Sequence, residues 1–229
     1  MSEAESQKRA AGEAAAALVE SGMIVGLGTG STAAWFVRAL ADRRPGIDCV
    51  ATSEATASLA AELGLRVLDF NLVGEVDLTV DGADEIGPGL ALIKGAGGAL
   101  LREKLVWTAS KRCVVIADAS KRVTLLGAAY PLPVEVTPFG HRHTAEKIRA
   151  ALHECGIVAT PTLRTVGDAP SRTDGGNLIY DVTCRLIERP EQVGAALKTI
   201  TGVIEHGLFL GLAERALIGV EGGVETVGP

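Results

Sequence analysis

Four loops rich in glycine or hydroxyl side chains each follow an apolar run of strand length, and that repetition narrows the fold more than any other feature of the chain. Residues 23–27 lead into GTGST (28–32), residues 47–51 into TSEAT (52–56), residues 76–80 into DGADEI (81–86) and residues 90–93 into KGAGGA (94–99). Helical stretches lie between them. The first, Ala-rich, covers residues 3–20, with Ser2 and Glu5 at capping-box spacing and Gly22 as its stop. Others cover residues 33–41, a segment closed by Gly64, and a segment reaching residue 107. A further run, residues 113–117, is apolar throughout. Short continuous apolar strands alternating with helices predict a parallel sheet covered on both faces. Ligands of such sheets bind in loops at the carboxyl ends of the strands, so the four loops are expected to converge on one crevice.

The pattern changes after Tyr130. A proline-punctuated stretch, PLPVEVTPFG, precedes a helix over residues 144–155 and a strand over 158–163. A turn-rich stretch with TDGGN follows, then a strand over 178–182, a helix over 191–200 and a strand over 203–206. That β-α-β-β-α-β order predicts a small ferredoxin-like unit. The tail, residues 208–227, holds further strands, ALIGV the clearest. The expected fold class is α/β: a Rossmann-like, mostly parallel sheet with helices on both faces, plus a smaller ferredoxin-like α+β domain. The expected boundaries are residues 1–130 and 207–229 for the sheet domain and 131–206 for the small domain, which is expected to serve oligomerisation.

Composition excludes several function classes. The net charge is −6, and no dense run of Lys or Arg offers a nucleic acid an electrostatic footprint. Within an acidic chain, individual lysines then matter for any anionic substrate. Cys49, Cys113, Cys155 and Cys184 are widely spaced, without a C-x-x-C pair, and read as buried thiols. The first residues carry charges rather than an apolar core, against a cleaved signal peptide, and no stretch reads as a membrane span. A cytoplasmic enzyme with reduced thiols is expected.

The loops carry the chemistry. GLGTGSTA has glycines at 26, 28 and 30 followed by Ser31 and Thr32, one position off the dinucleotide fingerprint and without a Walker lysine. A tight glycine turn opening a helix suits a single phosphate group, through backbone N–H groups and the helix dipole; the same residues also suit an ordinary capped turn. Asp81, Asp84 and Glu85 place three carboxylates at the end of an apolar strand. Mutual repulsion there favours acid–base work, while a hard cation or simple capping also fits the segment. In KGAGGALLREK, Lys94 ends a strand, the glycines allow close approach, and Glu103 shares a helix face with Ala99. A carboxylate, a lysine and open backbone amides are the parts needed to move a proton beside a carbonyl and stabilise the enediolate oxygen. Lys121, in IADASKRV, offers a further phosphate contact; Lys8 and Arg9 offer the same or lie on the surface. His141 and His143 lack a third ligand nearby, so no metal site is expected.

Taken in order, GLGTGSTA, TSEAT, DGADEI, KGAGGALLREK, IADASK, PLPVEV, TDGGN and GVIEHGLF resemble the motif set of the type A ribose-5-phosphate isomerase family, across residues 26–210. The resemblance implies interconversion of ribose 5-phosphate and ribulose 5-phosphate through a cis-enediolate in the pentose phosphate pathway, with no metal, nucleotide or other cofactor. It implies Glu103 as the base moving a proton between C1 and C2. Asp81, Asp84 and Lys94 match residues tied to ring opening and to stabilising the open-chain oxygens. Thr29, Gly30, Ser31 and Thr32 match the phosphate-facing loop, and Lys121 a further substrate contact. Gly82, Ala83, Gly95, Ala96 and Gly97 complete the implied substrate-binding set. The family implies a homodimer or homotetramer. Two residues depart from the pattern: Ala96 stands where glycine is usual, and Thr201 where proline is usual.

Two other functions compete. A non-catalytic sugar-phosphate sensor on a related domain calls for a DNA-binding helix-turn-helix, and none is read here. A nucleotide-dependent oxidoreductase calls for an acidic residue closing a strand about twenty residues past the glycines. Asp48 lies near that distance but opens its strand instead.

Overall fold

In a computed structural model describing residues 2–229, the apolar runs Ile24–Leu27, Asp48–Ala51, Leu78–Gly82 and Cys113–Asp118 pair side by side and parallel. Arg66–Val67 extends this sheet at one edge, and Arg215–Val220 and Gly223–Val227 at the other. Only Gly223–Val227 runs antiparallel. The alternating faces of these strands feed two separate apolar layers. Val25, Leu27, Leu78, Val80, Val114 and Ile116 pack with Ala11, Ala15, Phe36, Val37 and Leu40 from the helices Glu3–Ala16 and Ser31–Arg43. Val50 and Val76 pack with Val106 from the helix Leu100–Thr108. Both faces are therefore covered, as expected for buried parallel strands.

The chain leaves Ile24–Leu27 towards Asp48–Ala51 on one side and later returns as Leu78–Gly82 on the other. The strand order thus reverses between Ile24–Leu27 and Leu78–Gly82, which makes the ends of those two strands the crevice of the sheet. The loops GTGST and DGADEI leave it from there.

By its contacts the chain divides into two units, Met1–Ala83 with Arg102–Lys121 and Gly211–Pro229, and Asp84–Leu101 with Arg122–Leu210. Residues 84–101, 122–130 and 207–210, expected from the sequence to go with the parallel sheet, fall in the second unit. The reason is local pairing. Leu92–Ile93 does not join the parallel sheet but pairs antiparallel with Glu85–Ile86 and with Leu208–Phe209. The Asp84 N–H donates to the Ile93 carbonyl at 2.8 Å and closes that hairpin.

The second unit also contains the four-stranded antiparallel sheet, in the order Val203–His206, Leu132–Val136, Leu178–Thr183, Thr160–Leu163. With the helices His141–Glu154 and Pro190–Lys198 this is the β-α-β-β-α-β unit read from the sequence. A small antiparallel ribbon, Thr165–Val166 with Ala169–Pro170, lies within the turn-rich stretch. The first helix stops at Ala16 rather than residue 20, and its end tightens into bonds from Leu18 to Ala15 and Val19 to Ala16. No helix among the described residues is long and apolar enough to cross a membrane. Cys49, Cys113 and Cys184 are buried, and burial pushes the Cys49 and Cys184 thiols up to about 12.

Candidate active site

In the first unit, the loop after Ile24–Leu27 is held from both sides. The Gly28 N–H donates to the Val80 carbonyl at 2.9 Å, and the Thr29 N–H donates to Asp81 Oδ1 at 3.0 Å. Gly30 has φ 110° and ψ 179°, a conformation closed to residues with a Cβ, and caps the helix Ser31–Arg43 without a side-chain hydrogen bond. The first N–H groups of that helix therefore face outward with the positive end of its dipole, a ready anion site. Residues Thr29, Gly30, Ser31, Ala34, Thr56 and Leu59 line a depression of about 320 Å³ there. Thr29 Oγ1 meets Thr52 Oγ1 and Ser53 Oγ at 2.8 Å each, and the Thr56 hydroxyl donates to the Gly28 carbonyl at 2.9 Å. TSEAT is thus the hydroxyl brace of the glycine loop. Ser53 also caps its own helix, Glu54–Glu62, by accepting from the Thr56 N–H at 3.1 Å.

Asp81 is fully buried, and its Oδ1 accepts from the backbone N–H groups of Thr29 and Gly82, the latter at 2.7 Å. Backbone donors replace the water a buried carboxylate loses. Lys121 closes the short turn Ala119–Lys121 at the carboxyl end of Cys113–Asp118, next to Leu78–Gly82 in the same sheet. Lys8, read from the sequence only as an optional contact, places Nζ 3.1 Å from Ser31 Oγ and so brings a cation to the glycine loop. Arg9 instead pairs with Glu13 at 2.6 Å and lies over the Trp35 ring. Glu103 sits in the first turn of Leu100–Thr108 and is 4% exposed, not on a solvated face. Its neighbour Arg102 turns outward and pairs with Glu54 at 2.8 Å.

In the second unit, Asp84 Oδ2 accepts from the Ala96 N–H at 2.9 Å. Lys94, 2% exposed, is anchored by its own N–H to the Gly207 carbonyl at 2.8 Å, and its ammonium lies 5.3 Å from the centre of the Phe209 ring. A lysine this buried, held against an aromatic face, presents its charge in a fixed direction. Gly95 turns with φ 114° and Gly98 closes the turn on the Gly95 carbonyl at 3.0 Å. Ala96 has no positive φ, so its methyl group in place of the usual glycine costs no backbone strain. Thr201 is exposed in the turn before Val203–His206.

Three polar residues outside the implied catalytic and substrate-binding set brace the second unit's loops, Glu85 of the DGADEI carboxylates among them. Glu85, fully buried, accepts from the N–H groups of Gly127, Ala129 and Tyr130 at 2.6 Å each. Glu85→Ala strips three donors of their acceptor and is expected to lower stability by about 2–4 kcal/mol in urea unfolding; a loss below about 1 kcal/mol contradicts this anchoring role. Glu135, from PLPVEV, accepts at Oε1 from Thr173 and Asn177 of the TDGGN stretch at 2.9 Å each. Burial pushes the Glu135 carboxyl up, partly offset by Asn177 and Thr173. Arg164 donates from Nη1 to the carbonyls of Gly95 and Ala96. His141 meets Tyr180 Oη with Nδ1 at 2.8 Å.

The first unit carries an anion-ready glycine loop bonded to a buried carboxylate, and the second a buried lysine held in one direction; each set of groups suits an enzyme that shifts protons on a small phosphorylated substrate. A family model for ribose 5-phosphate isomerase A (phosphoriboisomerase A) matches residues 48–223. Ribose-5-phosphate isomerase A of Caulobacter sp. (strain K31) is 59% identical over 226 residues, covering 99% of both chains. The crystal structure of ribose 5 phosphate isomerase A from Neisseria gonorrhoeae is 36% identical with a TM-score of 0.90, covering 98% of this chain and 97% of that one. A D-ribose-5-phosphate isomerase in complex with phospho-erythronic acid is 34% identical with a TM-score of 0.93, covering all of both chains. The chain belongs to the ribose 5-phosphate isomerase A family. Its activity is that of an aldose–ketose isomerase acting on ribose 5-phosphate, and the sensor reading is set aside.

Proposed function

We propose that Asp81, Asp84, Lys94 and Glu103 carry out this isomerisation, with residues 29–32, Lys8 and Lys121 holding the phosphate. The observation that carries the reading is the direct link between the two parts of the first unit's crevice: the Thr29 N–H of the anion-ready loop binds the buried Asp81 carboxylate at 3.0 Å. A phosphate bound at the glycine loop then has its sugar beside a fixed acid–base group. Asp84 follows Asp81 by three residues, so chain geometry keeps their Cα atoms within about 11 Å. Asp81 or Asp84 assists opening of the furanose ring. Glu103 takes the proton from C2 of the open aldose and returns it to C1, while a proton passes between the two oxygens. The negative charge of the cis-enediolate faces the Lys94 ammonium and the amides of residues 95–97. Gly82 and Ala83 give the sugar a backbone wall without bulky side chains. The phospho-erythronic acid bound to the 34%-identical relative, a phosphorylated sugar acid, supports this ligand class.

The full reading is a cytoplasmic enzyme of the non-oxidative pentose phosphate pathway, working as a homodimer or homotetramer without metal or organic cofactor. The test is formation of ribulose 5-phosphate from ribose 5-phosphate by the purified protein, with and without EDTA. Turnover unaffected by EDTA is expected. Loss with EDTA makes DGADEI a cation site and overturns the metal-free mechanism. No turnover in either condition overturns the substrate assignment.

A further inference from the structure

Arg164 lies in the turn-rich stretch after Thr160–Leu163, and nothing in the motif set calls on it. Its side chain is 16% exposed, and its charge is met by Asp181 with Nε at 2.8 Å and with Nη2. That leaves Nη1, which donates to two successive backbone carbonyls, Gly95 at 2.8 Å and Ala96 at 3.0 Å. The same peptide unit that offers the Gly95 carbonyl to Arg164 offers the Ala96 N–H to Asp84 Oδ2 at 2.9 Å. In a trans peptide the C=O and N–H point in opposite directions, so Arg164 and Asp84 hold opposite edges of one planar group. With the next carbonyl turned to the same guanidinium, the Gly97 N–H is turned to the same side as the Ala96 N–H. Two adjacent N–H groups aimed one way form a concavity suited to a negatively charged oxygen. Tyr130 sits at this cluster as well: its phenol is pushed up by burial first and then by Asp84, against the pull of Arg164.

We propose that Arg164, oriented by Asp181, is a positioning residue of the isomerisation, fixing the peptide planes of residues 95–97 and through the Ala96 N–H the aim of Asp84. The proposal rests on the role given above to Asp84. Arg164 touches no reacting atom; it determines where the carboxylate and the amides sit. A lysine cannot replace it, because one nitrogen of a rigid fork serves two carbonyls while the others engage a carboxylate. Displacement of a catalytic group by about 1 Å lowers rate by roughly a hundredfold, so loss of this grip acts on kcat rather than on phosphate binding.

The test is a cycle of Arg164→Lys, Asp84→Ala and the double variant, assayed for kcat and KM on ribose 5-phosphate, with Arg164→Ala assayed in added guanidinium. Arg164→Lys is expected to lower kcat by about 10–100-fold with KM within about threefold of the parent. In the Asp84→Ala background the same change is expected to cost less than about threefold, since coupled residues do not add. Millimolar guanidinium is expected to restore part of the turnover of Arg164→Ala, a rescue that a merely structural role does not produce. If Arg164→Ala does not fold, the lysine cycle decides alone. Equal losses in both backgrounds overturn the coupling through Asp84. A fully active Arg164→Lys beside an inactive Asp84→Ala overturns the role of Arg164 and leaves the reading of the site intact. A fully active Asp84→Ala overturns the reading of Asp84 and this proposal with it.

Discussion

Glu103→Gln is expected to lower kcat on ribose 5-phosphate by about three orders of magnitude while KM stays within a few-fold, the pattern of a general base lost with binding kept. The side chain is 4% exposed in the first turn of Leu100–Thr108. Glutamine keeps its length and shape there but offers no basic oxygen to take a proton. Because the amide is nearly isosteric, the folded state changes little, and thermal unfolding of the variant stays close to the parent. A second readout separates loss of the base from loss of ring opening. In heavy water the parent washes solvent deuterium into the sugar at the isomerising carbons, and Glu103→Gln does not. If Asp81→Asn, by contrast, slows only ring opening, it recovers activity on the fraction of substrate already in the open form. A Glu103→Gln enzyme that keeps a tenth or more of its turnover removes Glu103 from the proton-transfer role, because a lost general base costs at least about a hundredfold.

What the sequence made legible follows from what short-range physics encodes. The runs IVGL, CVA and CVVIA lie in strands of the parallel sheet, and their continuous apolar character records burial on both faces directly. The cap at Ser2 is equally local, a hydroxyl accepting from an N–H three residues on. The end of the first helix was not legible, because Leu18 and Val19 continue an apolar periodicity that the backbone abandons after Ala16. Leu92–Ile93 shows a deeper limit. A two-residue apolar run says that a segment is buried but not which strand it meets or in which direction, and its partner Leu208–Phe209 lies more than a hundred residues away. The brace residues were hidden for the same reason. Arg164 looks like any loop arginine until its carbonyl partners, 68 and 69 residues distant, are in place. Thr173 and Asn177 carry a motif whose meaning is Glu135, on a strand that comes earlier in the chain. Lys8 looks like a surface charge on an Ala-rich helix, and only the packing of that helix against Ser31–Arg43 brings it to Ser31.

Gly28→Ala is expected to be the most damaging single methyl group that can be added to the first unit's crevice. A Cβ at Gly28 meets Asp81 Oδ1 at 2.2 Å, its Cγ at 2.3 Å and its Cα at 2.5 Å. The last of these is backbone, so no rotation of the aspartate relieves the collision; the loop must lift from Leu78–Gly82 or the strand must shift. Either movement breaks the Gly28 N–H bond to Val80 and the Thr29 N–H bond to Asp81, and the carboxylate loses a donor while remaining buried. Overpacking together with lost buried hydrogen bonds is expected to cost at least about 3 kcal/mol, which lowers Tm by roughly 10 °C in a chain of this size. Turnover in the folded fraction falls as well, because the phosphate loop and Asp81 share the damaged contact. Gly30→Ala separates this cause from backbone strain. Nothing lies within 4 Å of a Cβ there, but φ is 110°, so the penalty is conformational and Asp81 is untouched. Calorimetry and phosphate-competition binding on the two variants distinguish them: Gly28→Ala loses stability and turnover together, whereas Gly30→Ala weakens phosphate binding more than it weakens the sheet. A Gly28→Ala protein with parental Tm and turnover shows that the strand ends are looser than this geometry requires, and with that result the tight coupling between the anion loop and Asp81 no longer stands.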